Sequence, residues 1–189
     1  RDNITVADIF LEQGQIQIMN SIGRECYSRS ENSPSSFFLS KFTVSSTKNK
    51  FTAVGCDTSA IVRGFTDSNT RYSSGCLSIC DGNYSVAEGS CSGTGCCPTS
   101  IPKGLLSLNV TVSSYSNNRN VTQFSLCGFA FVVEESKFNF SSSSFQGLRT
   151  TDKKIPLVLD WTIGDRTCEM AQTNMTQDGV KIFVYLELS

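Results

Sequence analysis

The chain contains no histidine. A serine or cysteine nucleophile would therefore have no imidazole base, and a metal would lose its commonest nitrogen ligand. Charge is also scarce: Asp, Glu, Lys and Arg make up 17% of the 189 residues, where roughly 25% is usual. The 16 basic and 17 acidic side chains leave a net charge of −1, which argues against a strongly basic nucleic-acid binder. No apolar run approaches the ~18 residues needed to span a bilayer. No signal peptide is present in the sequence, so a secreted protein is expected to be a mature form or a fragment. What replaces charge is hydroxyl, with 29 Ser and 17 Thr. The length suits one domain or two small ones, and such a chain buries roughly 70% of its unfolded surface.

Cysteine is abundant. Nine occur, at Cys26, Cys56, Cys76, Cys80, Cys91, Cys96, Cys97, Cys127 and Cys168. Cys76-x-x-x-Cys80 followed by Cys91 to Cys97 can be drawn as a zinc site. Six Asn-x-Ser/Thr sequons, at Asn3, Asn83, Asn109, Asn120, Asn139 and Asn174, argue instead for a secreted glycoprotein. There the cysteines are structural, and the seven from Cys56 to Cys127 are expected to be oxidised. Each bridge would contribute about 2–4 kcal/mol by restricting the unfolded chain. An odd total leaves one cysteine free or bonded elsewhere. Spacing alone does not fix the connectivity. Adjacent Cys96 and Cys97 are expected to reach different partners, because a vicinal ring strains its peptide.

The hydrophobic pattern has period two. Residues 3–19 read as a hairpin turning at Gly14. Further strands are expected over 37–44, 51–54, 61–65 and 105–113. In the last, Leu106, Leu108, Val110 and Val112 share one face and Asn109 lies on the other. Phe138 and Phe140 likewise flank Asn139, so both sequons are expected on outward strand faces. Residues 124–133 are continuously apolar, as in a strand covered on both sides. Alternation returns from Val180 to Leu188, and 165–172 could form two helical turns. Residues 113–120 and 141–144 read as loops. The fold class is mainly β and disulfide-rich: two packed antiparallel sheets, or a sheet with a Cys-rich subdomain. The clearest boundary falls near residues 45–50.

Catalytic motifs are weak. Asp57-Thr58-Ser59 matches the aspartic-protease signature in a single copy, whereas that chemistry needs two carboxylates sharing a proton. An Asx-turn after a disulfide explains it more simply. Glycosidases need paired carboxylates, and nothing in the sequence pairs Glu134, Glu135, Asp160 or Asp165. Gly93-Thr94-Gly95 lacks the lysine and spacing of a phosphate loop. Trp161, the sole tryptophan, could stack on a sugar but more simply fills a core.

Several Cys-anchored blocks resemble the extracellular region of plant wall-associated receptor kinases. They are Phe51-Thr52-Ala53-Val54-Gly55-Cys56-Asp57-Thr58; Gly75-Cys76-Leu77-Ser78-Ile79-Cys80-Asp81; and Cys91-Ser92-Gly93-Thr94-Gly95-Cys96-Cys97, running on to Ile101-Pro102-Lys103-Gly104-Leu105. Cys127-Gly128-Phe129 through Glu134-Glu135, and Pro156 to Trp161 with Cys168, follow in the same order. The resemblance covers about residues 4–170.

It implies residues 1–47 as the C-terminal part of a galacturonan-binding-like domain. Residues 48–170 would be a Cys-rich wall-associated-kinase-like domain, and 171–189 a terminal strand or tail. The chain is expected to begin inside the galacturonan-binding region, after its first cysteines. On that pattern Cys26 is expected to be unpaired or bonded outside the chain, with Cys168 its rival. The disulfide set is then Cys56, Cys76, Cys80, Cys91, Cys96, Cys97, Cys127 and Cys168.

The implied function is non-enzymatic: an extracellular glycoprotein, in the plant cell wall or on the outer face of the plasma membrane, that binds pectin. No catalytic residue, metal, cofactor or nucleic-acid partner is expected. Polygalacturonate carries one carboxylate per sugar, so Lys41, Lys48, Lys50, Arg63 and Arg71 are the candidate ligand-binding residues. The alternative is a structural or assembly protein. It would associate through the edge of the first hairpin or through Cys26, with a retained N-terminal peptide or a second copy.

Overall fold

A computed structural model describes residues 4–27, 32–39, 42–82, 85–150 and 153–161. The expected terminal strand, the 165–172 helix, Lys41, Cys168 and the sequons at Asn3, Asn83 and Asn174 lie outside them. Among the described residues the strands are β1 (Thr5–Phe10), β2 (Gln15–Ser21), β3 (Gly23–Cys26), β4 (Ser35–Phe38), β5 (Phe42–Val44), β6 (Asn49–Val54), β7 (Thr58–Phe65), β8 (Arg71–Ser78), β9 (Cys96–Thr99), β10 (Ser107–Ser114), β11 (Cys127–Glu134) and β12 (Lys154–Trp161). Among the described residues, helix is limited to short 3-10 turns and the single turn α1 (Ser144–Gly147).

The strands form three four-stranded antiparallel sheets, ordered β1-β2-β12-β5, β4-β10-β7-β8 and β3-β11-β6-β9. The mainly β, disulfide-rich class holds; the described residues form three sheets, where two packed sheets or one sheet with a Cys-rich subdomain was expected. Strands from both sides of residue 47 share each sheet. β2 pairs with β12, β3 with β11 and β4 with β10, so early strands are built into every sheet.

Alternation explains how one sheet serves two cores. Along β11, Ala130 and Val132 face a cluster where the inner faces of all three sheets converge, with Ile16, Ile18, Val62, Leu108, Leu157 and Leu159. Phe129, Phe131 and Val133 point the other way, into a second cluster with Phe140, Phe145 and Leu148. The expected double covering of this strand is therefore present, since successive side chains leave opposite faces. Pro156 is tolerated in β12 because β5 pairs only with Leu159, Asp160 and Trp161, leaving its missing N–H on an open edge.

Among the described residues, eight cysteines form four disulfides: Cys26–Cys127, Cys56–Cys80, Cys76–Cys97 and Cys91–Cys96. This corrects the expectation for Cys26. It lies directly opposite Cys127 across the β3–β11 pair, where facing side chains approach closely enough to bond. Neighbouring Cys96 and Cys97 leave opposite faces of β9. Cys96 joins the loop-covered cluster and Cys97 packs on the inter-sheet core.

The first hairpin forms, with Gly14 at φ 62° closing a 3-10 turn over Leu11–Gln13. β1 is an open edge, interrupted by an irregularity between Val6 and Asp8. A bulge and a charge are devices that blunt strand addition. With Cys26 bonded internally, association through that residue is overturned.

Candidate functional site

The β4-β10-β7-β8 sheet turns one face to the core and the other to solvent. Val62, Leu108 and Val110 are at most 2% exposed, while their neighbours Arg63 and Asn109 are exposed. Cross-strand register arranges the outward residues in rows, because directly opposed residues share a face. One row runs Ser36, Asn109, Arg63, Ser73; the next runs Phe38, Ser107, Phe65, Arg71. Asn109 stands in the register expected for it. Asn139 is exposed too, but its segment is irregular rather than a strand. There Phe140 is buried and Phe138 only half-buried.

Two charges occur in these four strands, Arg63 and Arg71, and both are positive. Phe38 is 66% exposed and Phe65 43%. The Arg71 guanidinium lies 5.9 Å from the Phe65 ring centroid, a cation–π contact worth about 0.5–1 kcal/mol at an exposed site. The backbone holds this pair in place. Phe65 N donates to Ser107 Oγ at 3.0 Å, and Leu106 N donates to Phe65 O at 2.8 Å. Gly64 is required beside them, since a Cβ there would collide with the Ser107 carbonyl oxygen. The 66–70 turn is tied by Thr66, Ser68 and Thr70, whose hydroxyls link in series.

The face thus offers two cations, two apolar rings and a field of serine hydroxyls. Exposed aromatics suit the apolar faces of sugar rings, hydroxyls exchange hydrogen bonds with them, and guanidinium forks match carboxylates. Among the candidate cations, Arg63 and Arg71 share this face. Lys48 and Lys50 do not: Lys48 lies in the turn before β6, and Lys50 is in a different sheet, its Nζ on Ser100 Oγ at 3.2 Å. Phe38 and Phe65 are additions that sequence reasoning did not single out. The alternation Arg63-x-Phe65 was the available signal for Phe65.

The other motifs resolve into structure. Asp57 is buried, at φ 62°. Its carboxylate accepts Ser114 Oγ at 2.5 Å and the backbone N–H groups of Ser116 and Asn118 at 2.7 Å. These partners lie far along the chain, so the residue clamps the loop after β10 instead of forming a local Asx-turn. Glu134 accepts Gln17 Nε2 at 2.6 Å, and Asp160 accepts Gln15 Nε2 at 2.9 Å. Trp161 is half-buried against the inter-sheet core. Among the described residues, no three His, Cys, Asp or Glu are placed to hold a metal ion.

Comparison with known proteins agrees with the Cys-anchored blocks. Wall-associated receptor kinase 2 of Arabidopsis thaliana is 36% identical over 176 residues, 90% of this chain. Wall-associated receptor kinase 3 is 38% identical over 176 residues, 84% of the chain, and kinase 1 is 36% identical over 173. The chain is related to the wall-associated receptor kinases. It spans 23% of the length of each of these relatives, consistent with a receptor ectodomain. No family model and no solved structure matches it.

Proposed function

We propose that this chain is an extracellular, non-enzymatic binding module of a cell-wall-associated receptor, and that its ligand is acidic pectin. The single observation that carries the reading is the outward β4-β10-β7-β8 face. Its strands hold Arg63 and Arg71, no acid, and the exposed rings of Phe38 and Phe65. Relatedness to wall-associated receptor kinases supports the extracellular part of the reading. Among the described residues, no helix is long and apolar enough to cross a membrane.

In this reading the guanidinium groups take uronate carboxylates while Phe65 and Phe38 receive sugar faces. Attraction between exposed charges is screened within a Debye length of about 8 Å at physiological salt. Affinity for an oligogalacturonide should therefore fall as salt rises. The test is calorimetric titration with oligogalacturonide and with its fully methyl-esterified form. Binding of the acid form alone, abolished by Arg63→Ala with Arg71→Ala, supports the reading. Equal binding of both forms would overturn its electrostatic part.

A second reading, assembly through a strand edge, draws on β1, where Val6 is 37% and Ile9 44% exposed. A concentration-dependent dimer in size-exclusion chromatography, lost in Val6→Lys, would favour it. A monomer at all concentrations removes it.

A further inference from the structure

We infer that an N-glycan on Asn109 lies across the Arg63–Phe65 part of this face and controls access of acidic polysaccharide to it. The inference rests on the binding reading above and adds its regulation. Asn109-Val110-Thr111 is a sequon in mid-strand, with Val110 1% exposed and Asn109 outward. Its register partners are Ser36 on β4 and Arg63 on β7.

Directly opposed residues have Cβ atoms about 5 Å apart, and diagonal neighbours about 7–8 Å. Arg63 is the direct partner and Phe65 sits on the diagonal. A sugar joined to the Asn109 amide nitrogen therefore leaves the sheet between β4 and β7. It has Arg63 beside it and the Phe38 and Phe65 rings within reach in the adjacent row. N-acetylglucosamine is neutral and rich in hydrogen-bonding groups, and the serine hydroxyls of these strands are partners for it. The same surface that recommends itself to a polysaccharide is thus available to the protein's own glycan at far higher effective concentration. By contrast, Asn139 follows the 3-10 turn at Glu135–Lys137, outside this sheet.

The experiment compares chains secreted from plant cells: wild type, Asn109→Gln, Thr111→Ala, Thr111→Ser and Asn139→Gln. Glycopeptide mass spectrometry establishes occupancy. The rate of phenylglyoxal modification of Arg63 then reports masking without any ligand. Arg63 should react more slowly in wild type, Thr111→Ser and Asn139→Gln than in the two variants lacking the sequon. Oligogalacturonide affinity should rise about tenfold in Asn109→Gln and Thr111→Ala, the factor expected if the glycan leaves the face open a tenth of the time. An unmodified Asn109, or equal Arg63 reactivity in all five chains, overturns the inference and leaves the binding reading intact. Failure of the binding reading looks different. Arg63→Ala with Arg71→Ala, placed on the Asn109→Gln background, would then leave oligogalacturonide affinity unchanged, and the gating would fall with it.

Discussion

The β3-β11-β6-β9 sheet has two sides built by different means. On one side Ala130 and Val132 meet Ile16, Val62, Leu108 and Leu159 from the other two sheets, with a single disulfide, Cys76–Cys97, at the margin. On the other side Phe129, Phe131 and Val133 are covered largely by loops and α1, and three disulfides gather there: Cys26–Cys127, Cys56–Cys80 and Cys91–Cys96. Where sheet covers sheet, paired backbones fix the apolar side chains and burial suffices. Where loops cover sheet, few ladder hydrogen bonds hold the cover, so covalent links limit the unfolded chain instead. The difference teaches that three of the four disulfides among the described residues belong to one side of one sheet.

Loop length gives the largest expected effect on this contrast. Cys26–Cys127 closes 101 residues and Cys91–Cys96 only 5. Replacing both partners with alanine should cost about 4–5 kcal/mol for the first bridge and about 2 kcal/mol for the second. Urea denaturation of the two double variants checks the order, and equal losses would contradict it.

The cores themselves come next. Leu159 and Leu148 are buried at 0% and 5% exposure on the sheet side and the loop side. Leu159→Ala leaves a cavity between sheets that cannot collapse, at about 4–5 kcal/mol; Leu148→Ala leaves one that loops can fill, at about 2–3 kcal/mol. Thermal unfolding of each variant reads this directly. A larger loss in Leu148→Ala would mean that the loop cover is as rigid as a sheet.

A smaller effect sharpens how the sheets are joined. Asn49, fully buried, donates from Nδ2 to Ser45 O and Val158 O at 2.7 Å and accepts Val158 N at 2.9 Å. It links β6 to β12, across two sheets. Asn49→Ala strands those groups and should cost about 1–3 kcal/mol. Faster amide exchange at Val158 is the accompanying signature.

The smallest effect lies in the loops. The Ser142 N–H donates to both Glu88 oxygens, at 3.0 and 3.2 Å, and Ser142 hydrogen bonding holds this carboxyl below its ordinary value of 4.5. A lowered folded pKa stabilises above the unfolded value, and that stability is lost as pH falls through the folded one. Ser142 amide exchange should therefore quicken below pH 4.5 in wild type and stay independent of pH in Glu88→Gln once the intrinsic rate is removed.

Much of this was legible along the chain. Strict alternation set the register of β10, and an unbroken apolar run marked β11 as doubly covered. β8 and β9 escaped notice because Ser, Gly and Cys carry little hydrophobic period, and their strand character comes from partners and disulfides. The 37–44 segment reads as one strand, yet β4 and β5 enter different sheets. Cys26 could not be paired by spacing, since its partner lies 101 residues away. In the candidate site, Arg63 and Arg71 were visible as charges near a turn. Phe38 was not, because its row is assembled from β4, β10, β7 and β8, and only pairing brings them together.

The central claim is that this face binds acidic pectin through Arg63, Arg71 and their neighbouring rings. The most direct measurement is an NMR titration of the Asn109→Gln chain with oligogalacturonide at low and at high salt. The account predicts shifts confined to outward residues of β4, β7, β8 and β10, strongest at Arg63, Phe65 and Arg71, and weakening as salt rises. Shifts centred on Lys48 and Lys50 instead, or none at all, would contradict it.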